Sequence, residues 1–562
     1  MKTYQVIGRV AKGMGGAMRD EWQRGTLGQT LRLSFRKKTL RFAEDLSHAG
    51  LLEEKAAQFG DRPFLIFEGN TLSYRQMNES ADKAAAFLAD LGGGPGSHVA
   101  LMMKNSPRWL HVFFGAQKLG MAAVPVNTAL RGNQLQYVIN HSDASILVID
   151  RDLYEHYERV KGDIENEIIV VVNPENDEET PEDTRSLSEA FSGNAGFTRP
   201  PVSAREGDIC MLMYTSGTTG MPKGVVTRYG NTSIKVLGIV ARLNLDSDDV
   251  YYTCFPLFHA NALVLTVTTA LHAGAKVALS TRFSASRFWE EIYETGSTVF
   301  NGLGAMIPIL MKQPVKEVEK KNRVRYVLSA ACPADMWGPF EKRFGLEIIE
   351  GYGAVDGGGL IIMNWGQAPK GSLGRPLGSK VRVVDDEMCD APVGVPGELI
   401  SWVGNRESGV EYYKNEKAGS QKVRDGWLHT GDLVYKDEKG FLYYVGRKSE
   451  FLRRRGENVS AYEVEHAILQ HPDVLECAVY AVPSDLAEDD IMAAIVPSEG
   501  KDPDPANLRK YLEDHLARFA IPRYYRVMKE LPKTETHRVI KNVLEKEAIT
   551  EDTIDLEPAR SL

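Results

Sequence analysis

Tyr214-Thr215-Ser216-Gly217-Thr218-Thr219-Gly220-Met221-Pro222-Lys223-Gly224 follows directly on the apolar run Ile209-Cys210-Met211-Leu212-Met213. The apolar run reads as a short buried strand. The stretch after it combines Gly217, Gly220 and Gly224 with the hydroxyl side chains of Thr215, Ser216, Thr218 and Thr219. Glycine lets a backbone turn tightly and come close to a ligand. Its N–H groups, with neighbouring hydroxyls, make a concave donor surface for phosphate oxygens. Lys223 adds a full positive charge, and Pro222 stiffens its approach. The spacing differs from the G-x-x-x-x-G-K-[ST] phosphate loop, because Gly217 and Lys223 are differently placed and Gly224 follows the lysine. A flexible Ser/Thr/Gly connector shares this composition, but connectors seldom follow a buried strand directly.

On both sides of this stretch, strand-like and helix-like pieces alternate. Residues 74–91 have helical spacing, with Ala81, Ala84, Ala85, Phe87, Leu88 and Leu91 on one apolar side. Gly92-Gly93-Gly94-Pro95-Gly96 ends that helix. Residues 99–103, 122–126, 146–149 and 168–172 read as buried strands, and residues 109–119 as a helix between the first two. Residues 173–200 are acidic, polar and proline-containing, as a surface connection would be. Downstream, 231–243 and 286–293 read as helices, and 251–255, 277–279 and 298–300 as strands. Residues 262–267 suit a core strand or a buried helix. Strands at 326–329 and 347–350 run into small residues, Ala330-Ala331 and Gly351-Tyr352-Gly353. Strands that end this way are what an α/β binding crevice needs. Residues 372–446 change to short strands and glycine turns, a β-rich subdomain. Beyond Gly446-Arg447-Lys448-Ser449, helix 461–469, strands 478–482 and 491–496 and helix 507–516 make a further small α/β unit.

Bulk properties bound the function. The chain has 562 residues, more than one ordinary core can use, and is 43% hydrophobic and 25% charged. A formal net charge of -9 argues against nucleic-acid binding. Cys210, Cys254, Cys332, Cys389 and Cys477 are scattered, which excludes a disulfide framework or a cysteine zinc site and fits a reducing compartment. The N-terminus lacks the continuous apolar segment of a signal peptide, so a cytoplasmic location is expected. Residues 1–43 carry ten basic residues against Asp20 and Glu21, with Trp22, Leu31, Leu33, Phe35, Leu40 and Phe42 interleaved. Two readings stand for this arm: peripheral contact with an anionic inner membrane face, or packing on its own domain. Gly13, Gly15 and Gly16 interrupt any long amphipathic helix there. Co-sedimentation with anionic vesicles, with and without the arm, separates the two.

Taken together, these motifs resemble the adenylate-forming superfamily: acyl-CoA synthetases, firefly-type luciferases and peptide-synthetase adenylation domains. The resemblance covers nearly all of residues 44–550 in the family's order. Residues 214–224 resemble its core signature. Gly351-Tyr352-Gly353-Ala354-Val355-Asp356 resembles its adenine and magnesium motif, and Trp427-Leu428-His429-Thr430-Gly431-Asp432 the motif that holds the ribose. Gly446-Arg447-Lys448-Ser449-Glu450 resembles its hinge, and Pro532-Lys533-Thr534-Glu535-Thr536-His537-Arg538 its terminal catalytic loop. Three further stretches look most like carnitine/crotonobetaine-CoA ligase-like or fatty acyl-CoA synthetases. They are Ser284-Ala285-Ser286-Arg287-Phe288-Trp289, Met311-Lys312-Gln313-Pro314 and Arg455-Gly456-Glu457-Asn458-Val459-Ser460.

The resemblance implies an α/β fold: a large N-terminal domain of layered α/β subdomains with a β-rich subdomain, and a small mobile C-terminal α/β domain. The expected division is an arm at 1–43, an adenylation domain at 44–447 and a small domain at 448–562. It implies an ATP- and magnesium-dependent acid:CoA ligase. A carboxylate attacks the α-phosphate of ATP, pyrophosphate leaves, and coenzyme A displaces AMP from the acyl-adenylate. The glycine-rich loop and Lys223 would hold the β- and γ-phosphates, and Gly351, Tyr352 and Gly353 the adenine. Asp432 would accept the ribose hydroxyls, although a turn aspartate after glycine is the plainer alternative. Arg447 would contact ribose or phosphate, or make a surface ion pair. Asp356 and Thr215 would face magnesium, and Gly456 would line the coenzyme A tunnel. His259 would lie near the acyl carboxylate, against the alternative of a core histidine. Asn301, Gly302, Gly304 and Ala305 would line the acyl pocket, or simply permit close packing, and Trp289 would be core.

Three departures from the family pattern matter. Val355 stands for a threonine and Asp356 for a glutamate, and His537-Arg538 stands where glycine-lysine is usual. That lysine bridges the attacking carboxylate and the α-phosphate. Arg538 keeps the charge with a different geometry, and Lys541 is the other candidate for the role. The departures keep open an adenylate-forming enzyme with a non-CoA acceptor, or a catalytically weakened nucleotide or acyl-CoA binding protein. A homodimer is also open.

Overall fold

The computed structural model describes residues 47–174, 180–192, 204–215, 221–230, 234–303, 306–357, 359–378, 380–404, 410–448, 451–454, 457–483, 489–534 and 539–556. The basic arm, the loop residues Ser216, Gly217, Thr218, Thr219 and Gly220, and Gly304, Ala305, Gly456 and Arg538 lie outside them.

Alternating strands and helices in the first half build two sheets. A seven-stranded sheet runs in the order Arg185–Ser186, Ile169–Asn173, Ala144–Asp150, His98–Met102, Ala122–Pro125, Ile209–Thr215, Lys223–Arg228. Its strands are parallel until the last pair, where the chain turns back on itself. The glycine-rich stretch connects these two strands in sequence.

A nine-stranded sheet holds the second set. Glu347–Ala354, Tyr326–Ala330, Val299–Leu303, Val250–Thr253, Lys276–Leu279 and Pro63–Phe67 are its parallel centre. Gly359–Asn364 and Arg375–Pro376 flank it on one side and Asn70–Ser73 on the other, all antiparallel. Helices Tyr74–Asp90 and Pro107–Leu119 lie in the shared core, which joins side chains of both sheets such as Leu101, Ile146, Val277 and Phe300.

Local chemistry sets the helix ends. Ser73 and Gln76 form a reciprocal capping box at the start of the first helix. Ser106 caps the second, Pro107 occupies its first turn, and Gly120 closes it with φ 73°. Residues 262–267 belong to a π-helix, Asn261–Thr268. The Thr266, Thr268 and Thr269 hydroxyls donate to carbonyls five residues back, which suits the wider turn.

The β-rich stretch is a five-stranded sheet of Val381–Val384, Gly397–Trp402, Trp427–Lys436, Val423–Arg424 and Leu442–Arg447. The C-terminal unit has its own cores. One side of Val474–Pro483 and Asp489–Pro497 packs on Val464, Ile468, Leu508 and Leu512, and the other on Leu531 and Leu544. Several contacts tie this unit to the large domain, among them a hydrogen bond from the Ser460 hydroxyl to the Val445 carbonyl. The Lys312 ammonium donates to the Val474 and Leu475 carbonyls, and His466 lies 3.5 Å from Asp335. Lys312 belongs to one of the three subgroup stretches, so that motif has a physical role as an inter-domain tie.

A buried carboxyl braces the crevice end of the nine-stranded sheet. Glu350 accepts the Ala331 N–H and, at 3.3 Å, the Cys332 N–H. Ala331 is held at φ 66°, unusual for a residue with a side chain. Burial raises the Glu350 pKa to about 7, against the opposing pull of those hydrogen bonds. A raised carboxyl pKa stabilises the fold fully below the unfolded value and loses that effect as pH rises through the folded one. Accordingly, thermal melts of wild type and Glu350→Gln should converge or cross as pH goes from 5 to 8, the wild type losing ground. A difference in melting temperature that stays constant across that range would show that Glu350 does not titrate there.

Candidate active site

The glycine-rich turn is closed at its base by strand pairing. Thr215 sits opposite Lys223 and Tyr214 opposite Gly224. A side chain on Gly224 would meet the Tyr214 ring at 3.1 Å, so glycine allows the ring to lie across the strand. The Tyr214 hydroxyl is 2.8 Å from Nδ1 of His141, which fixes the ring from the other side. A distant segment then pairs with the returning strand. Val226 N–H donates to the Glu411 carbonyl at 2.9 Å, and Tyr413 N–H to the Gly224 carbonyl at 2.8 Å. Tyr412 is thereby placed beside Lys223, whose Nζ lies 5.4 Å from its ring centre.

Tyr412 connects the loop to the second motif. Its hydroxyl donates to Asp356 Oδ2 at 2.9 Å, and the Lys422 ammonium pairs with the same oxygen. Asp356 sits on the short turn Val355–Gly357 that follows the strand Glu347–Ala354. Burial opposes ionisation of Asp356, but Lys422, Tyr412 and Arg447 outweigh it and hold the carboxyl below its ordinary range. Gly353 is obligatory here: a Cβ would lie 2.1 Å from the Gly359 carbonyl oxygen of the neighbouring strand. Gly351 packs against Met363 in the same way, less tightly.

The third motif meets the second through Tyr352. Its hydroxyl donates to Asp432 Oδ2 at 2.5 Å, and Arg447 Nε lies 3.1 Å from Asp432 Oδ1. Asp432 and Arg447 face each other across paired strands, so Asp432 is strand-borne rather than a turn residue. The Thr430 hydroxyl accepts the Asp432 N–H at 3.1 Å and donates to the Leu399 carbonyl at 2.6 Å, fixing the carboxylate's approach. Burial, and then the Asp432 charge, push the Tyr352 phenol up, so it remains a donor. Lys223, Tyr352, Asp356, Tyr412, Lys422, Asp432 and Arg447 therefore form one connected cluster.

His259 follows the strand Val250–Thr253, and Asn301 lies within the strand Val299–Leu303. The His259 carbonyl accepts the Ala262 and Leu263 N–H groups and so starts the π-helix. Its Nε2 is buried with no hydrogen-bond partner among the described residues, and burial lowers its pKa to about 4. The ring is neutral at physiological pH, and burial is the whole cause of that shift. Asn301 is 1% exposed. It accepts the Tyr251 hydroxyl and donates to Asn261 and Thr266, at 2.5 to 3.1 Å. Its side chain thus ties the π-helix to the sheet. Gly302 packs close to Val327, which a Cβ at 302 would meet at 3.2 Å. Trp289 is buried core, stacked on Phe344. Lys541 lies in the C-terminal unit, 2.7 Å from Glu465.

The donor set fits the expected ligands. Magnesium in nucleotide sites takes one or two carboxylates and completes its shell with phosphate oxygens and water, so Asp356 suffices as the protein's carboxylate. No group of three or more His, Cys, Asp or Glu side chains placed to hold a metal occurs among the described residues. The Thr215 hydroxyl stands at the loop mouth, 3.5 Å from the Lys223 carbonyl. No helix among the described residues is long and apolar enough to cross a membrane.

Two members of the cluster, Tyr412 and Lys422, are not apparent from sequence. Both come from the stretch just before the ribose motif. Lys422 ends the polar helix Glu416–Lys422, which looks like solvated surface. The adjacent pair Tyr412-Tyr413, in otherwise polar surroundings, is the one available signal.

With this geometry, the chain belongs to the AMP-binding enzyme family: that family matches residues 52–405, and the AMP-binding enzyme C-terminal domain matches 463–538. It is an ATP-dependent acid:CoA ligase, an AMP-forming acyl-CoA synthetase that uses ATP with magnesium and takes a carboxylic acid and coenzyme A as substrates. It is similar to the steroid-22-oyl-CoA synthetase of Rhodococcus jostii (strain RHA1), 34% identical over 84% of this chain and 86% of that one. It is also similar to the crotonobetaine/carnitine–CoA ligase of Salmonella typhimurium, 29% identical over 88% of this chain and 97% of that one. Among solved structures, an anthranilate CoA ligase in complex with anthranoyl-AMP superposes with a TM-score of 0.79, at 26% identity over 89% and 97% of the two chains.

Asn301→Ala would leave the Tyr251 hydroxyl and the π-helix carbonyl without their buried partner. It should destabilise the large domain by about 2–4 kcal/mol in urea unfolding followed by tryptophan fluorescence. A loss under about 0.5 kcal/mol would mean that the π-helix is held by packing alone.

Proposed function

We propose that this ligase activates a large, apolar carboxylic acid, and that the residues of the cluster divide the work as follows. Asp432 accepts the ribose hydroxyls, with Tyr352 and Arg447 fixing its orientation. Lys223 and the glycine-rich loop hold the β- and γ-phosphates. Asp356, with the Thr215 hydroxyl, faces the magnesium, which when bound neutralises charge on the triphosphate. Charge placement of this kind is the main lever on phosphoryl transfer. The acid's carboxylate oxygen bonds to the α-phosphorus as the bond to pyrophosphate breaks. Neutral His259 donates a hydrogen bond to that carboxylate and orients it. The coenzyme A sulfur then bonds to the acyl carbon, AMP leaves with the electrons of the broken C–O bond, and the thiol proton passes to solvent.

The observation that carries the choice of acid is the setting of His259. Burial alone lowers its pKa, with no charged side chain among the described residues sharing in the shift. The half-buried Val264, Leu265 and Leu303 lie on the elements beside it. A betaine needs a carboxylate or an aromatic cage for its quaternary ammonium, whereas a hydrocarbon skeleton needs only apolar walls. Similarity to a synthetase for a steroid acid supports the same reading.

Two assays test these assignments. In a panel of steroid side-chain, long-chain, short-chain, aryl and betaine acids read by pyrophosphate release, the bulky apolar acids should exceed the betaines in kcat/KM by about a hundred-fold or more. A betaine or small aryl acid as the best substrate would overturn the choice. Separately, Arg538→Ala and Lys541→Ala assign the terminal loop. The residue that bridges carboxylate and α-phosphate should lose about a hundred-fold in acid-dependent pyrophosphate release, and the other only a few-fold. Full release in both variants would remove the loop from this step.

A further inference from the structure

Lys422 has no place in the roles above, yet its ammonium pairs with the carboxylate expected to face the metal. The pair is not a loose surface contact. Lys422 and Asp356 keep 20% and 22% of their side-chain exposure, and Tyr412, 5% exposed, donates to the same Asp356 oxygen. Lys422 is also rigidly rooted. Asn415 caps the start of its helix, and Val423 enters a strand paired with Leu428 at its end. The ribose-motif strand therefore fixes where Lys422 stands.

Charge decides what such a lysine is for. Lys223, Lys422 and Arg447 contribute three positive charges to the cluster, and Asp356 and Asp432 two negative ones, a net of one positive. An entering triphosphate is strongly anionic and draws cations toward its oxygens. A divalent ion and an ammonium also compete for one carboxylate oxygen. When a metal takes up Asp356, Lys422 loses its partner, and the nearest new acceptors are the phosphate oxygens beside it. A flexible four-carbon stem ending in a compact charge suits that exchange, whereas a rigid guanidinium fork would be harder to release.

We propose that Lys422 is a nucleotide-positioning residue, held on Asp356 in the free protein and transferred to the triphosphate when ATP enters. Asp356 is thereby released to the metal at the moment it is needed. The shortened acidic residue at 356 fits this exchange, because aspartate reaches less far than glutamate and leaves room for a protein-borne cation. The inference rests on ATP occupying this cluster.

The test measures binding, not turnover. ATP and AMP affinities are determined by titration calorimetry for wild type, Lys422→Met and Lys422→Arg, each in EDTA and in magnesium. Lys422→Met should weaken metal-free ATP binding about ten-fold, the size of one charge-assisted hydrogen bond, while AMP binding changes less than about two-fold. Lys422→Arg should recover part of the loss in ATP affinity. Equal losses for ATP and AMP would reduce Lys422 to a structural partner of Asp356. Unchanged or tighter ATP binding in Lys422→Met would show that the lysine never reaches the phosphates. A wild-type protein that binds AMP but not ATP would instead overturn the reading of the pocket itself.

Discussion

The backbone pairing between residues 224–226 and 411–413 is the constraint on which the site depends. It is a short ladder, built of the Val226 N–H on Glu411 and the Tyr413 N–H on Gly224. Yet it joins the edge of the seven-stranded sheet to the chain that leads into the ribose motif. Without it, Tyr412 would not lie beside Lys223, and Asp356 would have no hydroxyl donor. Arg228 and Glu411 reinforce the same junction with a paired side-chain contact. The cluster is therefore assembled from residues of three sheets, brought together by main-chain pairing and side-chain hydrogen bonds.

Once those residues meet, electrostatics does the rest. Asp432 and Asp356 are each paired with a cation. Asp432 has Arg447 directly across a strand pair, so that pairing is set by register. Asp356 is instead met by longer side chains, the Lys422 ammonium and the Tyr412 hydroxyl. The difference suits their proposed tasks. A ribose acceptor is best kept fixed, because misplacement by a fraction of an ångström weakens two hydrogen bonds at once. A group that must exchange a lysine for a metal needs a partner that lets go.

Much of this is legible in the chain because it is written in local patterns. The apolar run Ile209-Cys210-Met211-Leu212-Met213 is a strand, the following turn is a strand-to-strand return, and Ser73 and Ser106 begin helices as their types predict. Glycines at 353 and 224 are explained by neighbours 2.1 and 3.1 Å from a would-be Cβ. What is hidden comes from long-range contact. Nothing near Lys422 in the sequence shows that its ammonium meets Asp356, 66 residues away. Asn301 is expected to line the acyl pocket, but its side chain is engaged with Tyr251, Asn261 and Thr266. The π-helix is equally hidden, since its apolar composition suits a strand or an α-helix just as well.

That π-helix has a consequence for how such an enzyme diversifies. A π-turn holds about one residue more than an α-turn over a similar rise. Deleting one residue between Asn261 and Thr268 would let the segment relax to an α-helix and change which way the side chains within it face. The threonine hydroxyls now bonded five residues back would lose those partners, and Val264 and Leu265 would exchange neighbours. A single-codon deletion can thus redraw the wall beside His259 while the flanking strands stay in register, a change that no one substitution could bring about.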